Sequence, residues 1–255
     1  MKLQDIWTQC WGKSNFRQLN LTPWRIVEAQ HVTSTRKLVD SEEEQQILEE
    51  EIDRVKPPLP DDTEFRGMHY LLFTPFRYPP LPHGSRFGTR QERSLWYGSE
   101  EVRTAQAEVA YYRLLFFAGS SAIFENTELR LTAFTASVFS ETGIDLTTVP
   151  FSKFEKYISS KSDYSSSQKL GLQMRNDDVE VIRYVSARDR KKGINVALFT
   201  SKAFRSKNPT ASQTWVCIAG SDRVEFTRSD LLSNEHAVFK KTDFVVDGKL
   251  PAPAL

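Results

Sequence analysis

The sequence predicts an α+β fold, because segments with strand character outnumber the amphipathic helices and the two kinds are not regularly interleaved. Hydrophobic residues make up 39% and aromatic residues 12% of the 255 residues, unlike the aromatic-poor, highly charged composition of disordered chains. Neither GxGxxG nor GxxxxGK[ST] occurs. A bound nucleotide would therefore have to be held without a Rossmann turn or a P-loop.

The charge balance and the cysteine content indicate which partners and which cellular compartment to expect. The 34 basic and 33 acidic side chains give a net charge of +1, so we expect no direct binding to nucleic acid or to an anionic membrane. Cys10 and Cys217 lie in unlike contexts, and Cys217 falls in an apolar run typical of a buried strand. Two free thiols fit a reducing cytoplasm. The opening MKLQDIWTQCWGK is too polar for a signal peptide, which agrees with a cytoplasmic location.

The first sixty residues are predicted to be helical. Between residues 24 and 56, apolar residues recur at helical intervals among charges, which favours one or two amphipathic helices. The acidic stretch from Glu42 to Asp53 is interpreted as a solvated face, with a partner surface as the alternative. Prolines in KPPLPDD then favour an extended connector over 56–62. We predict an N-terminal helical extension over 1–60 and a main domain over 61–255.

The main domain begins with HYLLFTPFRYPPL, whose aromatic residues favour a strand that ends just after Arg77 and Tyr78. A short strand is predicted over 95–97, and a helix is predicted from Ser99, as N-cap, to about Phe117, stopping at Gly119. Further strands are predicted over 129–140, 179–185, 195–199 and 214–218, and another helix over 164–174.

Two common kinds of site are not indicated. The four histidines, His31, His69, His83 and His236, have no cysteine or histidine neighbour at ligand spacing, and HExxH is absent, so no metal site is predicted. No GxSxG elbow supports a serine hydrolase. The candidates that remain are polar residues within apolar elements.

Glu108 is the clearest of these candidates, because it lies in the middle of the helix EVRTAQAEVAYYRLLFF. A partly buried carboxylate there would need a cationic or hydrogen-bonding partner. The alternative is an ordinary amphipathic helix with Glu108 facing water. Arg77 and Arg86 could supply the partner, since guanidinium groups bind carboxylate and phosphate in bidentate fashion; the alternative for each arginine is a surface position.

Three segments together resemble the RES domain, a family named for its Arg, Glu and Ser. They are FRYPPLPHGSRFG, WYGSEEVRTAQAEVAYYR and RYVSARDRKKGINVALF. Matched one position at a time, the first family arginine falls on Arg77 and the loop arginine on Arg86. The tyrosine falls on Tyr97, the glutamate on Glu108 and the serine on Ser186.

The resemblance covers about residues 65 to 205, and Arg86, Tyr97 and Glu108 are spaced eleven apart as in the family pattern. Asp163, Tyr164 and Gln168 resemble residues of the family's helix that precedes the serine strand. The loop between Arg77 and Arg86 is short and rich in proline for this family, so Arg66 remains an alternative for the first arginine.

The resemblance implies an ADP-ribosyltransferase-like fold, with a mixed central sheet flanked by helices. It also implies cleavage of NAD⁺ as substrate, by phosphorolysis with inorganic phosphate or by hydrolysis, without a metal. Glu108 would stabilise the positive charge that develops on the ribose. Arg77 and Arg86 would hold pyrophosphate or phosphate, Tyr97 and Tyr78 would stack on nicotinamide, and Ser186 would hydrogen-bond the ribose or the carboxamide.

The same resemblance implies a toxin whose partner is an Xre-like antitoxin. Residues 1–60 could meet that partner or shape a homodimer. One rival hypothesis is an ADP-ribosyltransferase that acts on a protein target. Another is an interaction protein without enzymatic activity, built on a RES-like scaffold.

Overall fold

A computed structural model describes residues 5–29, 39–57, 63–120 and 126–252. Ten strands in these residues form one mixed sheet in the order β1-β5-β6-β7-β3-β2-β4-β8-β9-β10, in which only β5 and β6 run parallel. The strands are β1 (Arg17–Leu21), β2 (Trp24–Glu28), β3 (Trp96–Ser99), β4 (Thr127–Thr135), β5 (Val138–Asp145), β6 (Val181–Val185), β7 (Ile194–Leu198), β8 (Ala211–Ala219), β9 (Arg223–Arg228) and β10 (His236–Lys240). The helices are α1 (Ile6–Gln9), α2 (Glu42–Val55), α3 (Tyr70–Arg77), α4 (Val102–Gly119), α5 (Glu155–Ile158) and α6 (Ser165–Asn176). The predicted α+β class with a mixed sheet flanked by helices is confirmed.

The N-terminal part differs from the predicted helical extension. Helix α2 is present, but residues 24–28 form β2, which lies in the middle of the sheet between β3 and β4. Strand β1 pairs with β5 at one edge of the sheet. Pairing with strands that are distant in sequence outweighs the local helical period of WRIVE. Residues 17–28 therefore belong to the main sheet.

The predicted strand before Arg77 is wrong, since residues 70–77 form the helix α3. Leu72 and Phe76, four residues apart, are buried on one face of it, and His69 caps its start by accepting a hydrogen bond from the amide of Leu71. The helix ends where expected, because Tyr78 precedes a proline and takes an extended conformation. Aromatic content alone did not separate a short buried helix from a strand.

Two smaller corrections concern the main domain. Ser99 is the last residue of β3 and does not cap α4, whose N-cap is Glu101. The single strand predicted over 129–140 is two strands, β4 and β5, with Ala136 and Ser137 between them. The strand predictions that overlap β3, β6, β7 and β8, and the helix predictions that overlap α4 and α6, are confirmed.

Three buried clusters surround the sheet. Successive residues of a strand point to opposite faces of the sheet. Trp96, Val181 and Val196 pack with α3 on one face. On the other face, one cluster packs α1 and α6 against β5, β6 and β7. A second cluster on that face packs α4 against β4, β8 and β9. The space between these last two clusters holds the candidate site.

Candidate active site

A cavity of about 750 Å³ opens where the sheet divides between β2 and β3. These two strands share a single paired position, Trp24 with Ser99, so beyond it they separate. The opening is lined mainly by aromatic, polar and cationic side chains from β2, β3, α4 and the segment before β3. The lining includes Arg25, Leu81, Arg86, Tyr97, Ser99, Glu108, Tyr111, Tyr112, Arg113, Phe116, Tyr164, Tyr184 and Asn195.

Glu108 of α4 reaches this cavity with a fixed orientation. Its Oε1 accepts hydrogen bonds from Ser186 Oγ at 2.7 Å and from Asn195 Nδ2 at 2.6 Å. The Asn195 amide is itself oriented, because its Oδ1 accepts from Ser99 Oγ at 2.7 Å. Both contacts are made to one carboxylate oxygen, which leaves Oε2 as the oxygen that can meet a ligand.

Ser186 lies behind Glu108 and is buried. Its Oγ accepts hydrogen bonds from the amides of Arg188 and Asp189, both at 3.1 Å. A hydroxyl has two acceptor lone pairs and one proton, so these two bonds direct the proton to Glu108. Ser186 is not among the residues that line the cavity. The geometry therefore makes Ser186 a residue that orients Glu108, whereas the sequence prediction had it contacting the ribose or the carboxamide.

The loop between β6 and β7 is fastened to α4 at the same end. Asp189 accepts a hydrogen bond from Thr104 Oγ1 at 2.9 Å and forms an ion pair with Arg103. Burial acts to raise the pKa of Asp189, but the bonds from the Lys191 amide, Arg103 and Thr104 outweigh it and hold that pKa below its usual range. Since Thr104 is one turn before Glu108, this contact fixes the loop that carries Ser186 relative to the carboxylate.

Arg86 is buried beneath the opposite wall. Its Nη1 donates to the carbonyls of Ile158 and Ser160, at 3.1 and 2.9 Å. The guanidinium carbon lies 4.6 Å from the centre of the Tyr164 ring, a cation–π distance. The loop of residues 83–88, here called the arginine loop, packs directly on α6. Gly171 permits this contact, because a Cβ at position 171 would be 2.0 Å from the Phe87 carbonyl oxygen.

Tyr97 joins the arginine loop to β3. Its hydroxyl hydrogen-bonds Ser85 Oγ at 2.8 Å and accepts from the Phe87 amide at 3.2 Å. Burial raises the pKa of Tyr97 to about 12, so the ring is neutral at physiological pH. Burial likewise raises the pKa of Tyr184 on the neighbouring strand. The cavity thus offers two neutral aromatic rings beside its cations.

Arg25 of β2 is a cavity residue that the sequence prediction missed. Its Nη1 donates to the Tyr97 carbonyl at 2.7 Å, across the gap where β2 and β3 separate. Its guanidinium carbon lies 5.5 Å from the centre of the Trp96 ring. Burial lowers the pKa of Arg25 to about 10, which leaves it charged at neutral pH. The available signal was a single arginine within the apolar run Trp24 to Val27, the same kind of signal that identified Glu108.

The chain matches the model of one known protein family. The RES domain model matches residues 62–218. The chain belongs to the RES domain family. Its match leaves out β1, β2, β9 and β10, so Arg25 of the cavity lies outside the matched segment of this RES-domain protein.

A solved structure with a similar fold is described as the M. tuberculosis MbcT–MbcA toxin–antitoxin complex. Its matching chain is 12% identical, with 82% of this chain and 92% of that chain covered and a TM-score of 0.49. No curated protein sequence matches this RES-domain chain.

Three residues predicted for the site lie elsewhere in the RES-domain structure. Arg77 Nε donates to the Pro57 carbonyl at 2.6 Å. The Tyr78 side chain is 38% exposed on the surface after α3. Arg66, the alternative to Arg77, is exposed, and its carbonyl accepts from Lys207 Nζ at 2.6 Å. None of the three lines the cavity that holds Glu108, because the predicted strand that would have brought Arg77 there is a helix.

Other predicted residues have structural contacts near the cavity. Gln168 Nε2 donates to the carbonyls of His83 and Ser85, at 3.1 and 3.0 Å, and so holds the arginine loop. Asp163 accepts from the Ser165 amide at 2.8 Å at the start of α6.

Cys10 and Cys217 are buried free thiols.

Among the residues that the structure describes, no group of three or more His, Cys, Asp or Glu side chains is arranged to hold a metal ion. No helix built from the described part of the chain has both the length and the apolar character needed to cross a bilayer.

Proposed function

We propose that this RES-domain protein cleaves the bond between nicotinamide and ribose in NAD⁺. The observation that carries the proposal is the fixed carboxylate of Glu108, which is held through Oε1 by Ser186 and Asn195 in a cavity that is also lined by Arg25 and Arg86. Family membership supports the same chemistry.

Loss of nicotinamide leaves positive charge on the ribose, and a carboxylate beside C1′ stabilises that charge more in the transition state than in the ground state. Such a group is most effective when it needs no reorganisation during the reaction. Two hydrogen bonds on Oε1 restrain Glu108 in advance. In this proposal Oε2 faces the ribose, and Ser186 and Asn195 position it.

Arg25 and Arg86 are assigned to the phosphates, whereas Arg113, which also lines the cavity, is ion-paired with Glu28. Nη1 of Arg86 is used by two carbonyls and Nη1 of Arg25 by one, so each fork keeps further donors for a phosphate oxygen. In this proposal Arg25 takes the role that the sequence prediction gave to Arg77. Tyr97 and Tyr184 are the rings beside which the cationic nicotinamide would lie until it leaves.

The acceptor is either inorganic phosphate or water. In the first case a phosphate oxygen bonds to C1′ as the bond to nicotinamide breaks, and in the second a water oxygen does so and loses a proton. We further propose that the protein acts as the toxin of a two-gene pair, with an Xre-like antitoxin as its partner. Family membership, together with the toxin–antitoxin description of the similar fold, prompts this proposal.

The test is to incubate the purified, folded protein, free of any partner, with NAD⁺ in buffers with and without inorganic phosphate. Released nicotinamide and the ribosyl product are then measured. Hydrolysis yields ADP-ribose in both buffers, whereas phosphorolysis requires phosphate and yields the phosphorylated sugar. ADP-ribose attached to added protein would favour the transferase alternative. No nicotinamide release in either buffer would refute the enzymatic proposal.

The toxin role needs a separate test. Induced expression should arrest growth, and Glu108→Gln should relieve the arrest at equal protein level. Arrest by the Glu108→Gln variant would separate toxicity from the proposed chemistry.

A further inference from the structure

The outer part of the cavity is aromatic and open to solvent. Tyr112 and Phe116 of α4 are 55% and 63% exposed, yet both line the same cavity as Glu108. The neighbouring Tyr111, which also lines the cavity, is 1% exposed, so the exposure of Tyr112 and Phe116 is not shared by every aromatic residue of this part of the helix. Large aromatic side chains left exposed at the rim of a cavity commonly mark a binding surface.

The spacing of these residues sets a distance. Glu108, Tyr112 and Phe116 are four residues apart in sequence and therefore lie on one face of α4. With a rise of about 1.5 Å per residue, the backbone positions of Tyr112 and Phe116 lie about 6 and about 12 Å from that of Glu108 along the helix axis. Since the proposed function places Glu108 beside C1′ of the nicotinamide ribose, the rest of an extended dinucleotide can lie along this length of α4.

The charges divide the cavity in the same way. Arg86 is buried and Arg25 is half-buried, and the third arginine of the lining, Arg113, is ion-paired with Glu28. Tyr112, Phe116 and Leu81 supply neutral, largely apolar surface at the rim. A ligand with one base, a pyrophosphate and a second base matches this order of chemistry. A mononucleotide would fill only the inner part.

We propose that Tyr112 and Phe116 form the binding surface for the adenine base of the dinucleotide and so make the site prefer ligands that carry the adenosine diphosphate part over a ribose phosphate without it. The inference rests on the proposed function for its substrate. It adds an outer subsite that neither Glu108 nor the arginines provide. Aromatic rings stack on bases in a sequence-tolerant manner, so this surface supplies affinity and leaves the reacting atoms to Glu108.

The test uses binding, which does not depend on turnover. The affinities of ADP-ribose and of ribose 5-phosphate are measured by calorimetry for the wild type, Tyr112→Ala and Phe116→Ala. Loss of one stacking ring should weaken ADP-ribose binding between about 5-fold and about 100-fold, while ribose 5-phosphate binding stays within about 2-fold. Tyr70→Ala is the matched control, because Tyr70 is 42% exposed and lies outside the cavity lining.

The outcomes separate the two proposals. Equal weakening of both ligands, unchanged ADP-ribose affinity in both variants, or no ADP-ribose binding by the wild type would each overturn the adenine surface. Unchanged affinity would leave the rim to a protein partner. If ADP-ribose binding falls as expected but no nicotinamide is released from NAD⁺, the adenine surface stands and the proposed reaction fails.

Discussion

Replacing Ser186 by alanine should separate the two roles that this serine could have. The substitution removes one of the two donors on Glu108 Oε1 and leaves the buried amides of Arg188 and Asp189 without their acceptor. An unsatisfied buried amide costs about 1–3 kcal/mol, so we expect the free energy of unfolding to fall by about 2–4 kcal/mol.

The kinetic effect should appear in kcat. Ser186 does not line the cavity, so KM for NAD⁺ should stay within about 2-fold of the wild type. A loss of at least about 10-fold in kcat is expected, since removal of a direct donor to the transition state typically costs 10² to 10³ and this contact acts through Glu108.

The assay combines denaturant unfolding with steady-state release of nicotinamide. Ser167→Ala is the matched control, because Ser167 is also buried but donates to the Tyr164 carbonyl, away from Glu108. A large rise in KM with unchanged kcat would refute the reasoning, because it would mean that Ser186 touches the substrate. Full stability and full activity would refute it as well.

Three further predictions follow from the cavity and its support. Arg25→Lys should lower kcat/KM for NAD⁺ by at least about 10-fold, since an ammonium group cannot bond a carbonyl and a phosphate at once as a planar guanidinium does. Arg77→Ala should change kcat/KM by less than about 2-fold. A larger loss for Arg77→Ala than for Arg25→Lys would contradict the assignment. Gly171→Ala, whose Cβ would meet a loop carbonyl oxygen at 2.0 Å, should lower the free energy of unfolding by about 1–3 kcal/mol. Gly119→Ala, with nothing within 4 Å of its Cβ, should not, and equal Tm values for the two variants would contradict the close approach. Because burial raises the pKa of Tyr97 to about 12, its contribution to stability is complete below its ordinary pKa of 10.0 and is lost as pH rises through about 12. Phenolate absorbance, compared with Tyr97→Phe, measures this, and ionisation near 10 would be inconsistent with it.

The pattern of apolar residues in the sequence was enough to predict the elements that bury one face in the core. The apolar run in β8 and the helix α4 were predicted because one face of each is buried in the same core cluster. Glu108 was predicted by the same reasoning, as a charged residue within an apolar helix. The hydroxyl of Ser186 was located through the family pattern, but its partner became evident only when β6 and α4 were placed together.

The features that the sequence did not reveal depend on how distant strands pair in the sheet. The run WRIVE is short, and only its position between β3 and β4 makes it a strand. Arg25 enters the cavity because β2 and β3 share a single pair and then separate. Conversely, Arg77 was expected at the site because it matched the first arginine of the family pattern at the end of a predicted strand, and that segment is the helix α3. Long-range pairing and the split in the sheet decided which arginine lines the same cavity as Glu108.

The most direct test of the account is nicotinamide release from NAD⁺ by wild type and Glu108→Gln. The account predicts release by the wild type and a loss of at least about 100-fold in kcat for Glu108→Gln. Glu101→Gln is the control, since Glu101 lies exposed at the start of the same helix without a side-chain capping bond, and it should retain full activity. Normal turnover by Glu108→Gln would contradict the assigned site, and no release by the wild type would contradict the function.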